Sequence, residues 1–387
     1  MRNLGLTIHA QALFCMQSFF YNFAYSRFQD VNVQLKIQAL TKLGNYLNDF
    51  IEGKHNTCDE VLFEKFYNKT IQAVHTAESK NKWFTKNNVY HALNYWSKQL
   101  SSDTLHSWMN GYEHAEHINA KKIGVIMAGN IPMVGLHDLL CVYLSGHHFY
   151  GKLSGDDQIL IPHLIEILSD IDTQAVAQIS FSEQFLKNMD AYIGTGSQNS
   201  TRYFDYYFRN KPSIIRGNRN GAAVLTGSET AQDFEKLGQD IFTYFGLGCR
   251  SVSKLFVPEG YQFDAFFEGI YSFHEQVNHH KYANNYDYNR TVYLMGNEKL
   301  LDNNFLLLKE DKGFSSPIAV LFYEYYQDLE SLYQYLQESR EKLQCIVSTN
   351  SQIKEAISFG TTQHPALHEY ADGVDTMRFL LDLNECK

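Results

Sequence analysis

Cys249 stands in the stretch Tyr244-Phe245-Gly246-Leu247-Gly248-Cys249-Arg250-Ser251. Two glycines lead into the cysteine, and a cation and a hydroxyl follow it. Glycine allows backbone angles and close approach that other residues resist, so the thiol can be presented on a bend with backbone N–H groups turned toward the same point. A neighbouring positive charge favours the thiolate, the form that attacks. A small residue buried in a tight turn would leave the same eight-residue trace, so the rest of the chain has to separate the two readings.

The elements around this cysteine alternate. Ile123-Gly124-Val125-Ile126-Met127 is a short apolar run ending in Ala128-Gly129-Asn130, the pattern of a buried strand. Pro132 to Leu144 then reads as a helix with Pro132 near its first turn. His148-Phe149-Tyr150-Gly151 reads as the next strand, leading to Lys152, and a helix is expected from about Gln158 to Leu168. Ala191-Tyr192-Ile193 is a further strand, Gly194-Thr195-Gly196 its turn, and Ser197 the cap of a helix reaching Phe208. Such alternation predicts a parallel, doubly wound sheet, in which ligands bind beyond the carboxyl ends of the strands. Asn130, Lys152 and Thr195–Ser197 all fall at such ends.

A second series follows, with strands at Ala222–Leu225, Lys254–Val257, Ile318–Phe322 and Gln344–Val347 and a helix from Ala231 to Tyr244. Upstream, residues 32–118 read as helical: Leu35, Ile37, Leu40, Leu43, Leu47 and Ile51 recur at helical spacing, with Asn45, Asn48 and Asp49 on the opposite face, and a second run covers Val61 to Val74. The expected organisation is an extension over 1–31, a helical segment plus dinucleotide-binding domain over 32–227, a cysteine-bearing domain over 228–365, and a C-terminal segment, 366–387, returning to the first domain.

Composition narrows the class. At 387 residues two domains are expected. A hydrophobic fraction of 44% with 26 Tyr and 27 Phe supports large cores rather than disorder. The net charge of −10 leaves no basic excess for a nucleic acid. The six cysteines, at 15, 58, 141, 249, 345 and 386, form neither a disulfide framework nor a metal-binding spacing. A cytoplasmic location and no metal are expected. The most apolar stretch, Ile123 to Tyr150, is interrupted by Asn130, Pro132, His137, Asp138, His147 and His148, short of the ~20 apolar residues of a membrane span. The N-terminal stretch reads as a peripheral extension, since His9, Gln11 and Gln17 break the apolar run a secretory signal would need.

Gly129-Asn130-Ile131-Pro132, Gly151-Lys152-Leu153-Ser154, Gly194-Thr195-Gly196-Ser197 and Gly246-Leu247-Gly248-Cys249, in that order, resemble the aldehyde dehydrogenase superfamily. More closely, the chain resembles the acyl-CoA reductases related to the fatty acid reductase of luminous bacteria. The resemblance covers roughly residues 32 to 387 and includes Phe359-Gly360-Thr361-Thr362-Gln363 and Asp372-Gly373-Val374-Asp375. It implies an α/β fold of two doubly wound domains with a cleft between them. It also implies Cys249 as nucleophile, with the Asn130 amide and the Cys249 N–H as oxyanion donors. Lys152, Ser154, Gly194, Thr195, Gly196 and Ser197 are implied to hold the cofactor, with the pyrophosphate near a helix N-terminus.

Two departures refine the expectation. NAD-preferring relatives tend to place an acid three positions after the lysine; here Gly155 stands there, which favours NADP(H), although Asp156 follows. Aldehyde-oxidising relatives carry a water-activating glutamate, whereas the matching Ile214-Ile215-Arg216-Gly217-Asn218-Arg219-Asn220-Gly221 has no carboxylate and two arginines. An acyl-enzyme without a water activator survives to accept a hydride, so reduction of an acyl-CoA to the aldehyde is expected. Arg216 and Arg219 could contact phosphates or stand solvated.

Alternatives from other classes are a cysteine acyltransferase or thioesterase, which would need a base near Cys249 that the sequence does not nominate, and a non-catalytic nucleotide-binding subunit. His274-Glu275 with His279 and His280 lacks the His-Glu-x-x-His spacing of a zinc protease. His147 and His148 are expected to pack or hydrogen-bond within their strand. Lys281 to Tyr288 reads either as the lining of a channel or as a tyrosine-rich surface loop. The acyl group could arrive as free acyl-CoA or from a partner enzyme, and a homo-oligomer is left open.

Overall fold

The computed structural model describes residues 32–113, 119–184 and 186–383. The extension expected over 1–31 lies outside these. Four helices open the described chain: α1 (32–52), α2 (Glu60–Lys80), α3 (Lys86–Gln99) and α4 (Ser102–Met109). Asp59, Thr85 and Ser101 cap the last three by accepting a backbone N–H in the first turn. Asp49 departs from expectation. It is fully buried, and its carboxylate accepts from the backbone N–H groups of Asn56, Thr57 and Cys58, locking the α1–α2 turn.

The first sheet comprises β1 (Lys122–Ile126), β2 (His148–Lys152), β3 (Ile179–Phe181), β4 (Ala191–Thr195) and β5 (Ser213–Arg216), all parallel in the order β3-β2-β1-β4-β5. The intervening helices are α5 (Leu136–Leu144), α6 (Leu160–Ile171), α7 (Ala175–Gln178) and α8 (Gln198–Phe208). Ser197 caps α8 as expected. Pro132 does not begin α5: residues 131–135 form a turn in which Met133 adopts φ 59°, and regular helix starts at Leu136. His147 is buried; its Nδ1 accepts from the Lys121 N–H and its Nε2 donates to the Leu380 carbonyl, pinning the sheet to the C-terminal helix.

The second sheet has the order β12-β11-β6-β7-β10-β9-β8. Its strands are β6 (Asn220–Val224), β7 (Val252–Pro258), β8 (Leu300–Asp302), β9 (Leu307–Glu310), β10 (Val320–Tyr326), β11 (Leu343–Val347) and β12 (Ala356–Ile357), parallel except for β8 on β9. Helices α9 (Ala231–Phe242), α10 (Asp264–Gly269), α11 (His280–Met295) and α12 (Leu329–Glu338) flank it. The change of sheet therefore falls at 217–219. The strand that the sequence boundary at 227 left in the first domain pairs in the second. Lys281–Tyr288 is part of α11 rather than a loop, with Tyr282 and Tyr286 buried in the second core.

After β12 the chain crosses back. Leu367, Tyr370, Met377, Leu380 and Leu381, the last three on α13 (Thr376–Asp382), join the first core with α1–α4. The architecture is thus two doubly wound units with a cleft between them. Among the described residues, no helix is long and apolar enough to cross a membrane.

Candidate active site

The register of the first sheet sets four chain segments side by side. Ile126 pairs with Lys152 on one flank and Gly194 on the other, and Thr195 pairs with Arg216. The strands run parallel, so Asn130, Lys152, Thr195 and Arg216 all lie at or just beyond one edge, where a winding switch between β1 and β4 opens a crevice. Close packing fixes the loops there. A Cβ on Gly129 would lie 2.6 Å from Ser154 Oγ, and one on Gly196 would lie 2.7 Å from Ser200 Cβ. At Gly155, by contrast, nothing stands within 4 Å. The residues that would hold a dinucleotide are a capped helix start at Ser197 after β4, a lysine at the end of β2, two strands away, and the open space at Gly155.

Cys249 sits on the turn before β7. Tyr244, Phe245 and Gly246 adopt φ values of 56°, 57° and 75° in succession. Left-handed geometry in non-glycine residues costs on the order of 1–3 kcal/mol each and persists only where surroundings impose it. They do so here. Tyr244 Oη hydrogen-bonds His91 Nδ1 of α3 at 3.0 Å, and the Phe245 ring packs on Trp83 and His279 at centroid distances of 5.3 and 4.5 Å. Past the bend, the Ser251 N–H donates to the Gly248 carbonyl at 2.9 Å. A Cβ on Gly248 would press on Ser251 Oγ at 3.1 Å and Gln363 Nε2 at 3.2 Å. Gly246 is thus set by its positive φ, and Gly248 lies in close approach to two side chains.

Across the cleft, Asn130 Nδ2 donates to the Leu247 carbonyl at 2.7 Å. A side-chain amide has two hydrogens, so this contact uses one of them. The Asn130 turn is itself held: the Met133 N–H donates to Asp157 Oδ2 at 2.7 Å, and burial pushes the Asp157 carboxyl up to about 6. Arg250 turns away from solvent, its Nε donating to the Thr362 carbonyl at 2.5 Å and its Nη2 lying 3.5 Å from Glu369.

Cys249 opens on a cavity of about 150 Å³ whose apolar wall includes Tyr95, Trp96, Ile131, Pro132 and Tyr244. A second cavity, about 220 Å³, touches Gly246–Gly248 and is bounded by Asn218, Ser315 and Ser316. The Gly246–Cys249 bend therefore has a cavity on each flank. Tyr95 and Trp96 were not foreseen, because on α3 they follow the same apolar periodicity as any core helix residue.

Arg216 and Arg219 also depart from expectation. Arg216 is buried in an ion pair rather than solvated, and Arg219 is paired through its Nε. Arg216, 5% exposed, binds both oxygens of Asp138 at 2.9 and 2.7 Å and Thr376 Oγ1 at 2.6 Å, while Arg219 pairs with Asp372 at 3.3 Å. Burial raises the Cys249 thiol pKa; Arg250 pulls it down, Asp372 pushes it up, and Arg216 pulls it down. Among the described residues, no three His, Cys, Asp or Glu side chains cluster as a metal site would.

A family model described as acyl-CoA reductase (LuxC) matches residues 33–357. Among solved structures, aldehyde dehydrogenase 21 from Physcomitrella patens, in complex with the reaction product succinate, is 12% identical over 92% of this chain and 88% of that chain, with a TM-score of 0.61. Indole-3-acetaldehyde dehydrogenase, complexed with NAD+, is 9% identical over 92% and 84%, with a TM-score of 0.62. An NAD-dependent aldehyde dehydrogenase from Sinorhizobium meliloti is 13% identical over 84% and 73%, with a TM-score of 0.57. At such identities the likeness is one of fold. No curated protein matches the chain.

Proposed function

Because the chain belongs to the acyl-CoA reductase (LuxC) family, an oxidoreductase family of the aldehyde dehydrogenase type, we propose that it reduces an acyl-CoA thioester to the aldehyde through an acyl-enzyme on Cys249, with NADPH as reductant. The observation that carries this reading is the seat of Cys249: a strained bend across from Asn130, joined to it at Leu247, beside an apolar cavity.

The cycle follows from these groups. The Cys249 thiolate attacks the thioester carbonyl, and the oxyanion so formed is held by the Cys249 N–H and the free hydrogen of the Asn130 amide. Collapse expels CoA, which takes a proton and leaves the acyl group on the sulfur. Lys152 and the helix start at Ser197 would hold a reduced nicotinamide cofactor, which would supply the hydride needed to bring this thioester to the aldehyde level. Cleavage of the carbon–sulfur bond then releases aldehyde and returns Cys249 as thiolate.

The carboxylates on the cavity wall support reduction over hydrolysis. Asp138 is bound by Arg216, and Glu369 faces Arg250 and accepts from the Ala366 N–H at 2.7 Å. Each is engaged, so neither is free to activate water against the acyl-enzyme. Lys152 and the open space at Gly155 support NADPH.

The test is nicotinamide oxidation with a panel of free acyl-CoAs, wild type beside Cys249→Ala. Aldehyde formation that vanishes in the variant supports the reading. CoA release that needs Cys249 without nicotinamide oxidation would replace it with acyl transfer or hydrolysis. Silence toward free acyl-CoA would point to a partner-delivered acyl group or a binding subunit.

A further inference from the structure

Arg216 is a buried cation with an unclaimed donor. It ends β5, at the strand edge where the first sheet meets the cleft, and lines the same cavity as Cys249. Nη1 and Nη2 are taken by Asp138 and Thr376, but Nε, also buried, has no hydrogen-bond partner. A buried guanidinium N–H left unpaired is costly, and native structures seldom keep one without a use. Burial would tend to discharge the group, yet the paired Asp138 holds it protonated. The position lies in the segment where the sequence carries arginines in place of a water-activating carboxylate.

We propose that Arg216 is a positioning residue for the nucleophile: its cation sustains the Cys249 thiolate, and Asp138 sets how much of that charge reaches the sulfur. The charged or titratable groups around Cys249 are Arg250 on its own turn, Asp372 on the C-terminal segment, Arg216 on β5 and Cys345 on β11, and its cavity is further lined by His137 and Asp138 on α5, Tyr95 on α3, Tyr244 and Glu369. Arg250 is drawn toward Thr362 and Glu369, and Asp372 is paired with Arg219. Arg216 alone among the arginines of this group keeps an N–H unmatched in the buried interior. A fixed cation beside a partly buried sulfur favours the charged form, since the same charge acts more strongly where water is excluded.

The two members of the ion pair must then act in opposite directions. Removing the cation raises the thiol pKa; removing its carboxylate partner leaves more positive charge facing the sulfur and lowers it. A pair that only braces the fold would shift both the same way.

The assignment of Arg216 rests on the reading of Cys249 as nucleophile, but it is tested without acyl-CoA or nicotinamide. Iodoacetamide labelling of the full chain, resolved by residue with mass spectrometry, gives the Cys249 rate across pH. While the thiol pKa lies above the working pH, the thiolate fraction at neutral pH changes about tenfold for each unit by which that pKa moves, an effect on rate partly offset because a less basic thiolate is less nucleophilic. Arg216→Gln is expected to slow labelling about tenfold, Arg216→Lys to restore much of it, and Asp138→Asn to speed it about threefold or more. If Arg216→Gln fails to fold, the double variant Arg216→Gln/Asp138→Asn removes both charges and strands neither, and slow labelling is expected there too. Unchanged rates, or slowing by Asp138→Asn as well as by Arg216→Gln, would overturn the proposal. Loss of the acyl-CoA reaction in Cys249→Ala is a separate result, so failure of the functional reading would not be mistaken for failure of this one.

Discussion

Asn130 Nδ2 donates to the Leu247 carbonyl at 2.7 Å, joining the loop after β1 to the peptide two residues before Cys249. The contact crosses the cleft between the two wound units, so it places the Cys249 turn relative to the strand ends that carry Lys152 and Thr195. In the proposed function it also orients the amide whose second hydrogen would be offered to an oxyanion. Asn130→Ala is expected to lower kcat by about 10²–10³ while KM moves by only a few fold, because the lost donor acts mainly in the transition state. Steady-state kinetics with the best acyl-CoA of the panel checks this. A KM effect alone would assign Asn130 to substrate binding.

Gly155 offers a test of cofactor preference that the fold can absorb. A side chain there meets nothing within 4 Å, so Gly155→Glu is expected to leave the melting temperature unchanged. The added carboxylate would repel a 2′-phosphate and could accept from ribose hydroxyls. The ratio of kcat/KM for NADPH over NADH is expected to fall at least about tenfold, corresponding to ~1.4 kcal/mol of discrimination. An unchanged ratio would place the 2′-phosphate away from Lys152.

The two glycines before Cys249 are expected to fail differently when changed to alanine. Gly246 has φ 75°, and its Cβ would lie 3.2 Å from the Ile241 carbonyl. Gly246→Ala should cost about 1–2 kcal/mol of stability through left-handed strain. Gly248→Ala meets side chains, Ser251 and Gln363, that can give way. Its stability should stay within ~1 kcal/mol, while displacement beside Cys249 slows turnover. Urea unfolding and turnover on the same preparations separate the two.

Asp157 predicts a pH dependence of stability. Its folded pKa, about 6, is raised by burial above the ordinary value of 3.8. Between those values the folded state binds more protons than the unfolded state, so this group's contribution falls as pH rises from about 4 to about 6 and is constant above. The loss is on the order of 2–3 kcal/mol. Asp157→Asn carries no charge and is expected to lack this decline. Urea titrations of both proteins across that range check it; parallel profiles would mean that Asp157 ionises freely in the fold.

Much of the architecture was legible because periodicity is a local property. Short apolar runs ending in Gly-Asn or Gly-Lys, each followed by a helix-forming stretch, can bury both faces only as parallel strands, and the strand ends carrying Asn130, Lys152 and Thr195 follow from that order. Even the bend before Cys249 is written in Gly246 and Gly248. The errors have equally local causes. Asp49 falls on a polar helix face by spacing, yet three backbone N–H groups from a following turn fold over it. From sequence, Lys281–Tyr288 reads as either a channel lining or a surface loop, because tyrosines and asparagines blur the helical pattern; in the fold it is helix, with Tyr282 and Tyr286 at the i,i+4 spacing that buries them and Tyr282 lining the second cavity.

By itself, then, the sequence determined the alternating strands and helices, the family resemblance and a cysteine on a glycine bend, since each depends on residues close together in the chain. Tertiary structure decided which charges meet. Arg216 could bind phosphate, face solvent or pair internally, and only the tertiary placement of α5 and α13, packed on each other near the end of β5, brings Asp138 and Thr376 to it. It likewise decided that β6 joins the second sheet, and that Tyr95 and Trp96 wall the cavity of Cys249. Electrostatics and cavity shape arise between groups tens to hundreds of residues apart, and no local pattern specifies their distances.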